Sequence, residues 1–295
     1  MRRAVLLLAG LALAAPLAAP LAAPLAAPLA AQEPVLRAFT SARQLHGETR
    51  LGLRLAYESG TLRLAPGARG DLYRTRLVYD ERRWRPVSRY DAGRGVLALS
   101  LEPAGGAAPL RLASREPLGQ LATVALSPEV ETALELDLGA VEGDLELGGL
   151  RLASVDLSTA ASRTVVHFSA PNGTRCSQAR FTAGAAELVV VGLGNARCDA
   201  VRFDGGMGNV TLDFSGAWTG STRVSVKMTA GGLTLRLPRS AGVRVSLDKF
   251  LASFRPAGLA ARGSSWVSPG WDRAAHRLDV AVTSTIGGIA VEWVD

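Results

Sequence analysis

Apolar and polar residues alternate along most of this chain, in pairs of short runs separated by small residues. From Leu134 to Leu237 the second run of each pair begins at Leu145, Val166, Leu188, Val210 and Leu233, in steps of 21, 22, 22 and 23 residues. The first runs begin at Leu134, Val155, Ala179, Val201 and Val224, in steps of 21, 24, 22 and 23. In an extended segment residues i, i+2 and i+4 share a face. Val210, Leu212 and Phe214 therefore point one way, with Thr211 and Asp213 opposite. Leu233, Leu235 and Leu237 repeat this around Thr234 and Arg236, and Val226 falls in the inner phase of its own run. A fixed period near 22 residues marks stacked repeats. Each unit is too thin to bury its apolar face without neighbours. The expected fold is all-β, a stacked-rung, β-solenoid-like architecture; an antiparallel β-sandwich is the alternative.

The same unit recurs nearer the N-terminus, where Leu53 and Leu55 lead through Glu58-Ser59-Gly60 to Leu62 and Leu64. It reads as a hairpin-like device of two arms. Further strands are expected at Leu72–Tyr79, Trp84–Tyr90 and Gly95–Leu101, and a short helix around Arg37 to Leu45. Residues 103–128 hold Pro103, Pro109, Pro117 and Pro128 with Gly105-Gly106. Such a stretch suits a connector better than a central strand. The pattern thus divides the chain into an N-terminal β region (32–102), a connector (103–128) and the stack (129–295). Past Val243 a helix from Leu247 to Phe254 is expected to cap the stack, followed by a long loop over 255–277 containing Trp266 and Trp271. The last unit, with Leu278, Val280 and Val282, then Gly287-Gly288, then Ile289, Val291 and Trp293, reads as a terminal edge.

Composition changes the picture at the N-terminus. Hydrophobic residues make up 48% of the 295 positions and charged residues 20%, which places the body of the chain among globular proteins. Arg2 and Arg3 precede an uncharged stretch, Ala4 to Ala31, in which Leu-Ala-Ala-Pro recurs in tandem. Proline at every fourth position breaks a spanning helix, while Ala4–Ala15 suits the apolar core of an export signal and Leu29-Ala30-Ala31 a cleavage site. Residues 1–31 are read as a signal peptide cleaved near Ala31, with a retained anchor as the alternative, and no later stretch is apolar enough to span a bilayer. The mature chain is expected in the periplasm or outside the cell. The net charge of +7 would fall to +5 without Arg2 and Arg3. Export removes nucleic acid as a usual partner.

Candidate chemistry is sparse. His46, His167 and His276 have no near-sequence partner, so no metal or cofactor is expected. Ser246-Leu247-Asp248-Lys249 has the spacing of serine acyltransferases but lacks their companion motifs. The glycines at 192, 194, 205, 206 and 208 read as turn residues rather than a phosphate cradle. Asn172-Gly173-Thr174 reads as a β-turn. No catalytic residue is assigned. The richest stretch is 71–94, where Tyr73, Tyr79, Trp84 and Tyr90 alternate with Arg74, Arg76, Arg82, Arg83, Arg85 and Arg89. Arginine beside aromatic rings can hold an anionic glycan or a lipid headgroup. The plainer reading has the rings in the core and the arginines paired with Asp71, Asp80, Glu81 and Asp91.

Cys176 and Cys198 stand 22 residues apart, one repeat. If they occupy equivalent corners of adjacent rungs, about 4.8 Å apart, a disulfide fits between them, and export supplies the oxidising setting. Two free, buried thiols are the alternative.

Several segments resemble the bacterial toastrack family of envelope proteins, including its N-terminal segment. They are Tyr57-Glu58-Ser59-Gly60-Thr61-Leu62, Tyr79-Asp80, Gly206-Met207-Gly208-Asn209-Val210-Thr211-Leu212-Asp213-Phe214-Ser215-Gly216, Leu237-Pro238-Arg239-Ser240-Ala241-Gly242-Val243 and Gly287-Gly288. The resemblance spans roughly residues 45–295. It implies a stacked β fold and an association with envelope stress, often through domains fused to membrane segments. It carries over no catalytic residue. The expected role is an exported, non-enzymatic module that presents a rigid surface to an envelope protein; the alternatives are an anionic glycan or lipid binder acting through 71–94, and an enzyme.

Overall fold

A computed structural model describes residues 34–105 and 119–295. The signal-peptide reading and residues 106–118 of the expected connector lie outside them. The first strands are β1 (Leu36–Gln44), β2 (Arg50–Pro66), β3 (Asp71–Asp80), β4 (Trp84–Asp91), β5 (Val96–Pro103) and β6 (Leu121–Leu126). Next come β7 (Glu131–Glu146), β8 (Arg151–Thr159), β9 (Arg163–His167) and β10 (Cys176–Val191). A one-turn helix α1 (Leu193–Ala196) leads into β11 (Cys198–Asp213), β12 (Thr222–Pro238) and β13 (Gly242–Arg255). The chain ends with β14 (Ala260–Arg262), β15 (Ser265–Val267), a 3-10 turn at Trp271–Arg273 and β16 (Arg277–Val294).

The two arms of each repeat are halves of one long strand, not a hairpin. In β12, Val224, Val226 and Met228 are buried, and after the bend Leu233, Leu235 and Leu237 are. The parity changes from even to odd. β2 changes from Leu51, Leu53, Leu55 and Tyr57 to Leu62 and Leu64, and β16 from Leu278, Val280 and Val282 to Ile289 and Val291. An extra residue at the bend re-aims the second arm, as in a β-bulge, so both arms turn their apolar side to the same core. The bend falls at glycines with positive φ: Gly60 (113°), Gly208 (135°), Gly231 (123°) and Gly287 (136°).

These bent strands stack mostly in parallel. The first arm of β2 lies between β5 and β7, and its second arm between β6 and β7. β8 and β9 together form the next rung, followed by β10, β11 and β12. One inner row shows the register. Leu99, Leu55, Leu136, Leu157, Phe181, Phe203, Val226, Val282 and Leu247 are successive neighbours through nine rungs. The parallel ladder matches the stacked architecture rather than the antiparallel sandwich. At the first end, β4 pairs antiparallel with β5, and β3 lies antiparallel between β6 and β1.

The structure corrects several local expectations. The segment from Arg37 to Leu45 is strand β1, not a helix, because pairing with β3 supplies what its weak alternation does not. Leu247–Phe254 is the bend and second arm of β13, not a capping helix. Residues 255–277 include the β14–β15 hairpin and a 3-10 turn rather than an unbroken loop. The final unit is not the edge: β16 lies between β12 and β13, paired in parallel with both. Within 103–128, β6 pairs with β2 and β3, and β2 is paired with β7 from Arg50 to Leu64.

The disulfide forms between directly opposed residues. Cys176 pairs with Cys198 across β10 and β11, with a Cα separation of 4.2 Å. Beside it, the buried Asn172 accepts from Leu152 N (2.8 Å) and donates to the carbonyls of Leu152 (2.8 Å) and Ala196 (3.1 Å). Its side chain is thus spent tying rungs together. Closing a loop of this length removes unfolded-state entropy. We expect Cys176→Ser with Cys198→Ser to lose about 3 kcal/mol and to lower the urea midpoint, with an m-value that rises because the uncrosslinked unfolded chain exposes more surface. An unshifted midpoint would show that the stacked register alone holds this corner.

Candidate functional site

The aromatic residues of 71–94 face inward. Tyr73 and Trp84 are buried, and the Tyr73 and Tyr90 rings meet with centroids 5.9 Å apart. Arg43 lies over the Tyr90 ring, 4.6 Å from its centroid. Burial, foremost, raises the Tyr90 phenol above its ordinary pKa, and the charge of Glu48 adds to this. Tyr79 is half-buried against the core. The arginines stay at the surface, but on different arms of the bent sheet. Arg74 and Arg76 belong to β3, which extends the second arm through β6; Arg85 and Arg89 belong to β4, which extends the first arm through β5. Arg82 and Arg83 occupy the turn between them. Arg74 pairs with Asp71 (3.0 Å) and Arg83 with Asp80 (3.6 Å). The ten residues thus meet at the turn and diverge along the strands.

A more concentrated site lies where rungs begin, at the edge of the stack that carries the disulfide. Two adjoining hollows of about 460 and 550 Å³ share Arg175, Asp199, Ser221 and Thr222. The first continues to Arg197 and Trp218, the second to Arg223, Arg244, Trp271, Arg277 and Asp279. The stacking brings these residues together because each sits near the start of its strand. Arg223 and Arg244 both lie opposite Asp279, one on each neighbouring strand.

Local bonds hold the groove's walls. Trp218 Nε1 donates to Phe214 O at 2.9 Å, and Thr222 Oγ1 donates to Cys198 O at 2.8 Å. Arg244 Nε donates to Asp279 at 3.0 Å, and Arg175 Nε to Asp199 at 2.9 Å. Those hydrogen bonds, first, and the carboxylate charges push both guanidinium pKa values up. Trp271 is flanked by Arg244 and Arg277, 4.9 and 5.3 Å from its ring centroid. Five arginines face two aspartates here, an excess of three positive charges (5 − 2) in a groove with two indoles. Such a surface suits a ligand with carboxylate groups, which arginine engages through paired N–H donors.

Sequence reasoning passed over this groove because its residues are spread from 175 to 279. A signal was present. An arginine opens or adjoins the start of β8, β10, β11, β12 and β16, namely Arg151, Arg175, Arg197, Arg223 and Arg277. Once the repeat period is known, that row predicts a basic edge.

Other candidates stay apart. Ser246 and Lys249 lie along extended β13, with the Ser246 hydroxyl 3.0 Å from that of Ser265. Gly192 is the left-handed residue before α1. Among the described residues no three His, Cys, Asp or Glu side chains are grouped to hold a metal ion. No helix among them is long and apolar enough to cross a membrane.

Known proteins add a family. A crystal structure from Clostridium sporogenes, provisionally described as a cell adhesion protein, is 15% identical, with a TM-score of 0.46 over 88% of this chain and 100% of that one. One from Bacteroides fragilis, provisionally described as an adhesin, is 12% identical, with a TM-score of 0.32 over 86% and 97%. No curated protein matches the chain. The profile of the N-terminal domain of toast_rack, DUF2154, matches residues 35–191, from the start of β1 through the end of β10. With more than half its length matched, the chain belongs to the toast_rack N-terminal-domain family.

Proposed function

We propose that this chain is an exported, non-enzymatic module of the cell envelope, of the kind engaged in envelope-stress responses, which binds a carboxylate-bearing segment of a partner protein. The observation that carries the reading is the groove from Arg197 and Trp218 to Trp271 and Arg277. It is fixed by a disulfide and built across five consecutive rungs, so it is ordered before a partner arrives. Preorganisation of this kind lowers the entropic cost of binding. Photo-crosslinking from position 219 in the exported chain identifies the partner. Replacing Arg175, Arg223 and Arg277 with glutamate is expected to weaken its binding by about a hundredfold or more, given two or more charge-assisted contacts. The same exchange at Arg76, Arg85 and Arg89 is expected to leave it within threefold, roughly the scale of a rim charge. The reverse ranking would move the site to the 71–94 strands.

A second reading keeps those strands as the contact, for an anionic glycan or a lipid headgroup. It is favoured by Arg76, Arg82, Arg85 and Arg89, which are exposed and have no carboxylate partner among the described residues. Vesicles with anionic headgroups separate the two readings: binding lost on the exchanges at Arg76, Arg85 and Arg89 but kept on those at Arg175, Arg223 and Arg277 would support the 71–94 strands.

A further inference from the structure

Among the described residues the stack ends in β1 and β4 on one side and in β13, with the β14–β15 hairpin, on the other. At the first end β4 and β3 lie antiparallel across the last rung, and β1 covers β3. At the far end β15 covers β13 only from Arg244 to Ser246. From Leu247 to Arg255, β13 is paired with β16 on one side and with no strand among the described residues on the other. An uncovered edge of this kind is a template for another strand.

The edge also carries the most exposed large apolar side chains of the described residues, Phe250 (75% exposed) and Leu251 (64%), at its bend. Leu251 continues a row along the outside of the bend with Ile286, Ala230 and Met207.

We propose that two copies of this chain join end to end through β13, antiparallel, about a twofold axis that passes through the bend. A bent strand is returned to its own outline by a twofold along the bisector of its two arms. That operation exchanges the arms and reverses the stack, and it keeps both inner faces turned to one core. A head-to-tail stack would have to set the single bent strand β13 against two separate strands, β1 and β4, each paired on one side only among the described residues; a twofold contact matches one bent edge to itself and closes.

The sequence fixes which residues oppose. The parity change at the bend places Asp248, before it, and Arg255, after it, both on the outer face. Face-matched pairing therefore joins an even residue of one arm to an odd residue of the other. The register that sets Leu251 against the partner copy's alanine 252 brings Asp248 opposite the other copy's arginine 255, twice by symmetry. Shifting by two residues in either direction sets Asp248 against serine or leaves Arg255 against phenylalanine. The favoured register also gathers Phe250 and Leu251 of both copies at the axis, where each shields the other from water.

Sedimentation velocity on the purified chain tests the contact. Wild type is expected to be a concentration-dependent dimer. Asp248→Arg and Arg255→Asp, each alone, set like charges against each other at two places and are expected to weaken the dimer about tenfold or more. Both residues lie exposed on the edge, so near-ultraviolet circular dichroism should be unchanged. The exchanged pair, Asp248→Arg with Arg255→Asp, is expected to restore wild-type affinity. A wild type that stays monomeric at its highest soluble concentration overturns the proposal, as does a dimer indifferent to the single changes or not restored by the exchange. A monomer whose edge crosslinks to residues 106–118 of its own chain, or to another envelope protein, overturns it in favour of that occupant. The groove variants do not touch this edge, so failure of one reading leaves the other standing.

Discussion

Val226→Asp is expected to unfold the stack, while Thr234→Asp is tolerated. Val226 is 1% exposed and lies between Phe203 and Val282 on the neighbouring rungs. Removing a buried side chain of this size loses roughly 1.5–3 kcal/mol, and placing a carboxyl group there without a partner adds several kcal/mol more. The sum is comparable with the whole stability of a typical domain, about 5–15 kcal/mol. Thr234 has the same even parity, but the bend at Gly231 turns it to the outer face, between Thr211 and Ala290. If alternation ran unbroken through β12, the two substitutions would behave alike. The pH dependence has a definite sign. A buried aspartate has a folded-state pKa raised above its unfolded value of about 3.9. The deficit of Val226→Asp is therefore smallest below about pH 4 and grows as pH rises toward the folded-state value. Urea denaturation at pH 4 and pH 7 checks both the ranking and the sign; equal midpoints for the two variants would refute the phase change.

The stack itself was legible because each arm buries alternate residues, and because Cys176 and Cys198 fall one repeat apart. What misled sequence reasoning is the phase change at the bend. In β13 the apolar residues Leu247, Phe250, Leu251 and Phe254 stand at i, i+3, i+4 and i+7, the spacing of an amphipathic helix. The same spacing arises from an inward Leu247, an inward Phe254 and two outward residues at a bend between them. β1 was illegible for a different reason. Its half-buried positions are Phe39, Ser41 and Arg43, so its partner β3, not its own apolar content, makes it a strand.

The place of β16 could not come from local pattern, since pairing between distant segments leaves no periodic trace. It does leave a likeness. Thr229-Ala230-Gly231-Gly232-Leu233 of β12 matches Thr285-Ile286-Gly287-Gly288-Ile289 of β16 in kind, and Ala230 to Leu233 lie opposite Ile286 to Ile289. The basic groove follows the same logic. Its arginines are unremarkable one by one and become a site only when the rungs are laid in register.

Gly231→Ala is expected to cost about 3 kcal/mol or more, the strain of an unfavourable backbone region together with overpacking. Gly208, Gly231 and Gly287 lie opposite one another on β11, β12 and β16. Each has a positive φ, and a Cβ added to any of them would strike the backbone carbonyl of the rung before it. At Gly231 the obstacle is the Gly208 carbonyl, at Gly287 the Gly231 carbonyl. Backbone cannot move aside as a flexible side chain can, so relief requires the rungs to part at the bend. Parting them breaks ladder bonds on both arms, which is why one methyl group has so large an expected effect. Gly70→Ala supplies the comparison. Gly70 also has a positive φ, 82°, but nothing lies within 4 Å of where its Cβ would be. It should show only the left-handed strain of about 1–2 kcal/mol. Thermal and urea denaturation of the two variants measure the difference, and a Gly231→Ala no less stable than Gly70→Ala would mean that the bent strands are not stacked closely at their glycines.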